Sequence, residues 1–300
     1  MHLRNVELFC EVASRSSFSK AAEAHQVSQS AASQAVQTLE DRLGTVLIDR
    51  SQRPLSLTTA GQIYYEGCRH LLETFRLVEE QVFAISDRVT GRLRVAAIYS
   101  VGLAEMAELV SEYRDTYPDV LLSVDYLHPD AVSQRILDGD ADLGIVSFPR
   151  AGSEFTVVPW LEQKMVIVLP PDHSQVPRNG SDGCRSPEVL DGEPFVGFCG
   201  DLRVRRQIDR WLKAAGVSVD VVHEFDNCEH IKRAVEAGSG VAILPAPTLR
   251  SEVARGSLVT LDLETVDWKR PLGFIRRRNR QLTTAAERFI EKLEETTDGQ

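Results

Sequence analysis

The chain has 300 residues, 43% hydrophobic and 26% charged, with a net charge of −10. That length admits two or three domains, and the composition is that of a globular protein, excluding disordered and fibrous classes. The acidic total argues against wholesale nucleic-acid binding, but charge has to be read segment by segment.

Residues 1–58 are balanced, with Arg4, Arg15, Lys20, Arg42, Arg50 and Arg53 against Glu7, Glu11, Glu23, Glu40, Asp41 and Asp49. A neutral segment on an acidic body can still set a few cations against phosphates. The cysteines (Cys10, Cys68, Cys184, Cys199, Cys228) are odd in number and scattered. Without a Cys-x-x-Cys pair or Cys/His ligand spacing, reduced thiols and no metal site are expected. No apolar run approaches a membrane span, and Arg4 and Glu7 stand where a signal peptide has its apolar stretch.

Leu3, Val6, Phe9, Cys10 and Ala13 recur at helical spacing and predict a first helix over 3–14. Ser16 or Ser17 caps a short second helix from Phe18 to Ala24. A tight turn at 25–27 follows, and Ser28 caps a third helix, 29–43, closed by Gly44. Two short helices joined by so tight a turn make a helix-turn-helix. At 100° per residue, Ala32, Val36, Leu39 and Leu43 form the core face of the third helix, with Ser30, Ser33, Gln34 and Gln37 roughly opposite and Gln29 at the edge. Such hydroxyls and amides can read base edges. A plain solvent face is the alternative, but it would favour Glu and Lys, which are missing until Glu40 and Asp41. Val46 to Ile48, a polar tip and then Leu55 and Leu57 predict a two-stranded wing. Its Arg50 and Arg53 suit phosphate or the minor groove. The candidate DNA-facing set is Phe18, Gln29, Ser30, Ser33, Gln34, Gln37, Arg50 and Arg53.

From Thr59 onward, Tyr64, Cys68, Leu71, Phe75, Val78, Val82, Ile85 and Val89 are spaced alternately four and three apart, an unbroken a/d heptad seam. Thr59 with Gln62 has the form of a capping box, and Gly91 lies just past the end. A helix of about 31 residues is roughly 46 Å long. It either packs on its own domain or pairs with a second copy, and the change of character on either side favours pairing, with Leu71, Phe75, Val78 and Val82 as the dimerising residues.

The blocks FSKAAEAHQVSQSAASQAVQTLEDRLGTVLIDR and PLSLTTAG resemble the N-terminal signature of LysR-type transcriptional regulators, in register through residues 1–61. The heptad helix is similar to that family's dimerising linker helix. The chain departs from the pattern at Ser30, Gln34 and Ile48, where the family often has Pro, Arg and Phe. The first two sit on the reading face, so an operator sequence does not carry over. The resemblance implies a cytoplasmic, ligand-responsive regulator with double-stranded DNA, a small-molecule effector and RNA polymerase as partners. It also implies homodimers and homotetramers, no cofactor and no membrane.

Beyond residue 91, strands and helices alternate. Strands are expected at 93–98, 121–126, 142–147, 157–160, 164–169, 195–198, 219–225, 241–244 and 272–276. Helices are expected at 104–114, 132–137, 203–214, 227–237 and 285–293. This predicts α/β sheets, mainly parallel, with loops at Pro170-Pro171 and over the Gly/Ser-rich 178–187. The pattern and the blocks ADLGIVS and EAGSGVAILP resemble the regulatory domain of LysR-type proteins, a two-lobed fold like that of periplasmic binding proteins. The expected organisation is an all-α winged helix-turn-helix at 1–58, a linker helix at 59–90 and an α/β regulatory domain at 91–300. Its lobe one is 92–161 plus 268–300, and its lobe two is 162–267.

Ligands of open α/β sheets lie beyond the carboxyl ends of strands. That rule selects Ser100, Ser147, Phe198, Cys199 and Asn227, each of which has ordinary capping or turn chemistry as its plainer role. Ser100 would bring a hydroxyl and, in a helix-opening turn, the N–H groups of Val101 and Gly102 to an anion. Arg203 or Arg205 would pair with a carboxylate or oxyanion, and Phe198 would form an apolar wall. Two other functions remain open. One is thiol sensing at Cys199, although Ile208 stands where peroxide-sensing members of the family carry a second Cys. The other is an enzyme on the two-lobed fold, although no catalytic constellation or phosphate loop is apparent. The run from Arg276 to Arg280 alternates faces on a strand and reads as structural or interfacial.

Overall fold

The computed structural model describes residues 3–84, 88–102, 106–176, 184–264, 266–278 and 280–298. They form two compact units, Met1–Arg88 and Val89–Gln300.

The first unit contains α1 (Leu3–Arg15), α2 (Phe18–Ala24), α3 (Gln29–Leu43), β1 (Ile48–Asp49), β2 (Ser56–Leu57) and α4 (Thr59–Ala84). The expected caps form. The Ser17 hydroxyl accepts from Lys20 N, the Ser28 hydroxyl from Ala31 N, and Gly44 closes α3 in the left-handed conformation. Val6, Phe9, Val12, Val36 and Leu39 share one core with Leu47, Ile48, Cys68 and Leu72. Ala32 packs with Ala35, Leu8 and Ala22 in a second cluster. Leu43, expected in the core, is exposed at the helix end, where the chain turns away at Gly44. The antiparallel wing pairs Ile48 with Leu57 and Asp49 with Ser56.

Two expectations for α4 are corrected. Its cap is Thr58 and not Thr59: the Thr58 hydroxyl accepts from Gly61 N at 2.9 Å and donates to Val46 O at 2.7 Å, so it serves helix and wing together. The approach is so close that a Cβ on Gly61 would stand 1.9 Å from Leu47 O. The seam also divides. Cys68 and Tyr64 pack in their own unit's core, with Tyr64 against Phe9 at a ring separation of 5.4 Å. Leu71, Phe75, Val78 and Val82 are exposed, as is Ile63 one residue before the expected start. Ile85 lies outside the described residues, and the described helix ends at Ala84.

The second unit begins with β3 (Gly91–Ile98), α5 (Tyr99–Gly102), α6 (Met106–Thr116), β4 (Val120–Leu127), α7 (Pro129–Leu137), β5 (Leu143–Ser147), β6 (Phe155–Leu169) and β7 (Cys184–Arg185). It continues with β8 (Pro194–Phe198), α8 (Arg203–Ala214), β9 (Asp220–Phe225), α9 (Cys228–Glu236), β10 (Ala242–Pro245), α10 (Arg250–Arg255), β11 (Val259–Leu263), β12 (Lys269–Arg277) and α11 (Thr284–Asp298). The start of the expected helix at 104–114 and part of the loop at 178–187 lie outside the described residues.

Strands β4, β3 and β5 are parallel, as are β8 and β9 and β7 and β11, whereas β12 runs antiparallel to β5 and β6, and β10 and β11 run antiparallel to β6. The strands expected at 157–160 and 164–169 are one continuous strand, β6, paired with β12 along most of its length. Its first half belongs to one apolar core with β3, β5, α6 and α11, and its second half to another with β8, α8, α9 and β10. The two lobes are therefore joined by β6, which runs through both. In the arginine run, Arg276 Nη1 donates to Arg280 O, Arg278 Nε to Gly152 O and Arg280 Nη1 to Ala141 O, and Arg280 pairs with Asp142 at 2.8 Å. These contacts make the run structural; Asn279 lies outside the described residues.

Candidate functional site

On α3, Gln29, Ser30 and Gln34 are exposed, while Ser33 and Gln37 are half-buried. Ala32, Ala35, Val36 and Leu39 hold the opposite face in the cores, and that fixes which side chains turn outward. The wing is tied down through Glu40, a carboxylate with 5% exposure. Its Oε1 accepts from Leu47 N at 2.8 Å and Ile48 N at 3.2 Å, and its Oε2 accepts from Arg50 at 2.8 Å. Arg50 also donates to the Gln37 side chain and stands 5.6 Å over the Phe18 ring. Arg50, Gln37 and Phe18 thus brace the wing against α2 and α3, whereas Arg53 is exposed at the wing tip.

In the second unit a cleft of about 490 Å³ opens between the lobes. Ser100, Ser147, Phe198 and Asn227 line it, as the strand-end rule selects, and so does the expected Arg203, with Ile98 and Val146 adding apolar wall. Asn227 keeps its capping role as well, accepting from His230 N at 3.0 Å. Four expected residues are not on the lining. Val101 is fully buried, and Gly102 lies against Tyr126, where a Cβ would meet the ring at 2.5 Å. Ser100 lies inside the single turn of α5 rather than before it. Arg205 turns away to Phe198 O, Asp209 and Glu224. Cys199 packs on the core of its lobe. Burial, and then the charges of Asp201, Asp226 and Glu224, push its thiol above the ordinary value, which leaves little reactive thiolate.

Sequence reasoning missed Arg270. It lies at the foot of β12 with 2% exposure, opposite Gln163 on β6, and lines the cleft. Its Nη1 donates to the Ser100 hydroxyl at 2.9 Å and its Nε to Gln163 Oε1 at 2.9 Å. A buried guanidinium facing a cavity places positive charge where water screens it least. Arg150, Arg206 and Arg210 also line the cleft. On α8, Arg203, Arg206 and Arg210 follow at helical spacing and share one face; that spacing was the available signal. Asp130, Asp201 and Asp226 are the acidic side chains on the lining.

Two family models match: "Bacterial regulatory helix-turn-helix protein, lysR family" over residues 3–62 and "LysR substrate binding domain" over residues 86–298. The regulator CysL of Bacillus subtilis is 25% identical, covering 100% of this chain and 99% of its own length. A full-length OxyR variant from Pseudomonas aeruginosa superposes with a TM-score of 0.74 at 22% identity, over 99% of this chain and 94% of that one. The regulatory domain of CcmR from Synechocystis, solved in complex with 2-PG, gives a TM-score of 0.61 at 26% identity, over 69% of this chain and 98% of that one. No helix among the described residues is long and apolar enough to cross a membrane. With both family models matched in order along one polypeptide, the chain belongs to the LysR family: it is a ligand-responsive, DNA-binding transcriptional regulator and not an enzyme.

Proposed function

We propose that this regulator responds to a small organic anion held in the interlobe cleft, with the anionic group on the floor formed by Arg270 and Ser100. The buried Arg270, already hydrogen-bonded to a cleft hydroxyl, carries this reading. Ser147 and Asn227 offer further polar contacts, and Phe198 gives an organic skeleton an apolar wall. The 2-PG complex of the CcmR domain supports a small molecule as the ligand. Binding across two lobes favours their closure, and a ligand shifts that balance only by its differential affinity for the closed state. Thermal-shift screening of organic anions, followed by calorimetry on the wild type, Ser100→Ala and Asn227→Ala, tests the site. Undiminished affinity in both variants would put it elsewhere.

The same reading divides the chain into a DNA-binding domain at 1–58, a linker at 59–90 and the two-lobed sensor beyond. Gln29, Ser30, Ser33 and Gln34 read the major groove, and Arg53 contacts phosphate or the minor groove. The exposed face of α4, with Leu71, Phe75, Val78 and Val82, pairs with a second copy, and pairs assemble into tetramers in the cytoplasm, where they engage RNA polymerase. The support is the exposure of Gln29, Ser30, Gln34 and the four α4 side chains on helices whose opposite faces are committed to cores, and of Arg53 at the wing tip.

A further inference from the structure

The proposed floor is one cationic point in the cleft; a second lies at its mouth. Arg150 follows β5 in lobe one, and Arg203 and Arg206 stand on α8 in lobe two, all lining the same cleft. Arg203 reaches across, donating to Phe148 O, two residues from Arg150, at 3.0 Å. Partial burial, and then the neighbouring Arg150 and Arg206, hold the Arg203 guanidinium below its ordinary value, and Asp130 offsets only part of this. Like charges therefore face each other from opposite jaws, and mutual repulsion opposes closure. An anion between them removes that cost and adds bidentate, charge-assisted hydrogen bonds.

We propose that the ligand class is a small molecule with two separated anionic groups, one on the Arg270–Ser100 floor and the other bridging Arg150, Arg203 and Arg206 at the mouth. The inference rests on the cleft reading above and adds the second point. The second group joins the two lobes directly, so it couples binding to closure, while the floor group supplies affinity shared by any small anion. Dicarboxylates and phosphorylated acids share this chemistry.

Two probe pairs distinguish the sources: butyrate against succinate, and glycerol 3-phosphate against 3-phosphoglycerate. Within each pair the skeleton is similar and the second probe carries an additional carboxylate. Calorimetry on the full chain should give the two-ended probe of at least one pair an advantage of about tenfold, the scale of one charged hydrogen-bonding contact. The Arg203→Gln/Arg206→Gln double variant should lose that advantage while still binding the one-ended probe, and its unfolding transition should confirm that it folds. Ser100→Ala should weaken both probes of a pair alike. Equal affinity within both pairs, or an advantage that survives in the double variant, overturns the second point and leaves the floor intact. If no probe binds in either pair, the floor reading falls and the second point falls with it.

Discussion

Arg270 and Ser100 are far apart in sequence, yet the guanidinium donates to the hydroxyl across 2.9 Å at the floor of the cleft. Both are buried, so the bond is shielded from water and its loss is expensive. Ser100→Ala should lower unfolding stability by about 1.5–3 kcal/mol, the range for a hydrogen bond to a charged group. Urea denaturation of the wild type and variant measures this, and an unchanged midpoint would refute the pairing.

Glu40 is the corresponding point in the DNA-binding unit, because one carboxylate holds two backbone N–H groups and Arg50. Glu40→Ala removes the acceptor for all three. A loss of about 3 kcal/mol is expected, since the buried N–H groups of Leu47 and Ile48 are left without an acceptor. Thermal unfolding that reports on residues 1–84 would show it.

Arg50 and Arg53 should behave differently on DNA. Arg53→Ala should lower the salt slope of binding by about 0.9, as one lost phosphate contact does, and weaken all sequences alike. Arg50→Ala should act mainly by loosening the wing, because Arg50 is engaged with Glu40 and Gln37. It should therefore lower stability along with affinity. Identical slopes for Arg53→Ala and the wild type would show that the wing tip does not meet phosphate.

Gly61 cannot carry a side chain without moving the wing, because a Cβ there would stand 1.9 Å from a backbone oxygen. Gly61→Ala should destabilise the first unit by more than about 2 kcal/mol, despite the better helix propensity of alanine. In α4, Val78→Asp alters only the exposed face, so it should leave the unit folded and break assembly. Sedimentation that still shows the wild-type species would count against pairing through this face.

Cys199 should be a poor redox centre. Its thiol titrates above the ordinary value, so alkylation by iodoacetamide should be slow at neutral pH and accelerate only as pH rises past the usual thiol range. Rapid modification at neutral pH, read by mass spectrometry, would revive the thiol-sensing alternative.

Local patterns in the chain determined much of this protein. Caps at Ser17 and Ser28, the left-handed Gly44 and the buried stripe through Ala32, Val36 and Leu39 were all legible, because helix ends and faces depend on residues within a few positions of one another. The strand-end rule found Ser100, Ser147, Phe198 and Asn227 for the same reason, since a strand and the turn after it are local features.

The tertiary structure decided what depends on distant neighbours. Tyr64 and Cys68 continue the heptad spacing in sequence, but α1 and α3 claim them for their own core, Val89 packs on a core of the second unit, and of the described seam Leu71, Phe75, Val78 and Val82 stay exposed. Arg203 and Arg205 are two residues apart on a helix and so point in different directions. One faces the cleft, while Glu224 and Asp209 take the other. Arg270 reaches the cleft floor because β12 pairs with β6 where that strand passes from one lobe's core to the other's, which sets its guanidinium against Gln163 and Ser100. Strand pairing between such remote segments leaves no periodic signal in the chain, so a buried arginine in a strand is indistinguishable from a solvated one until the register is known.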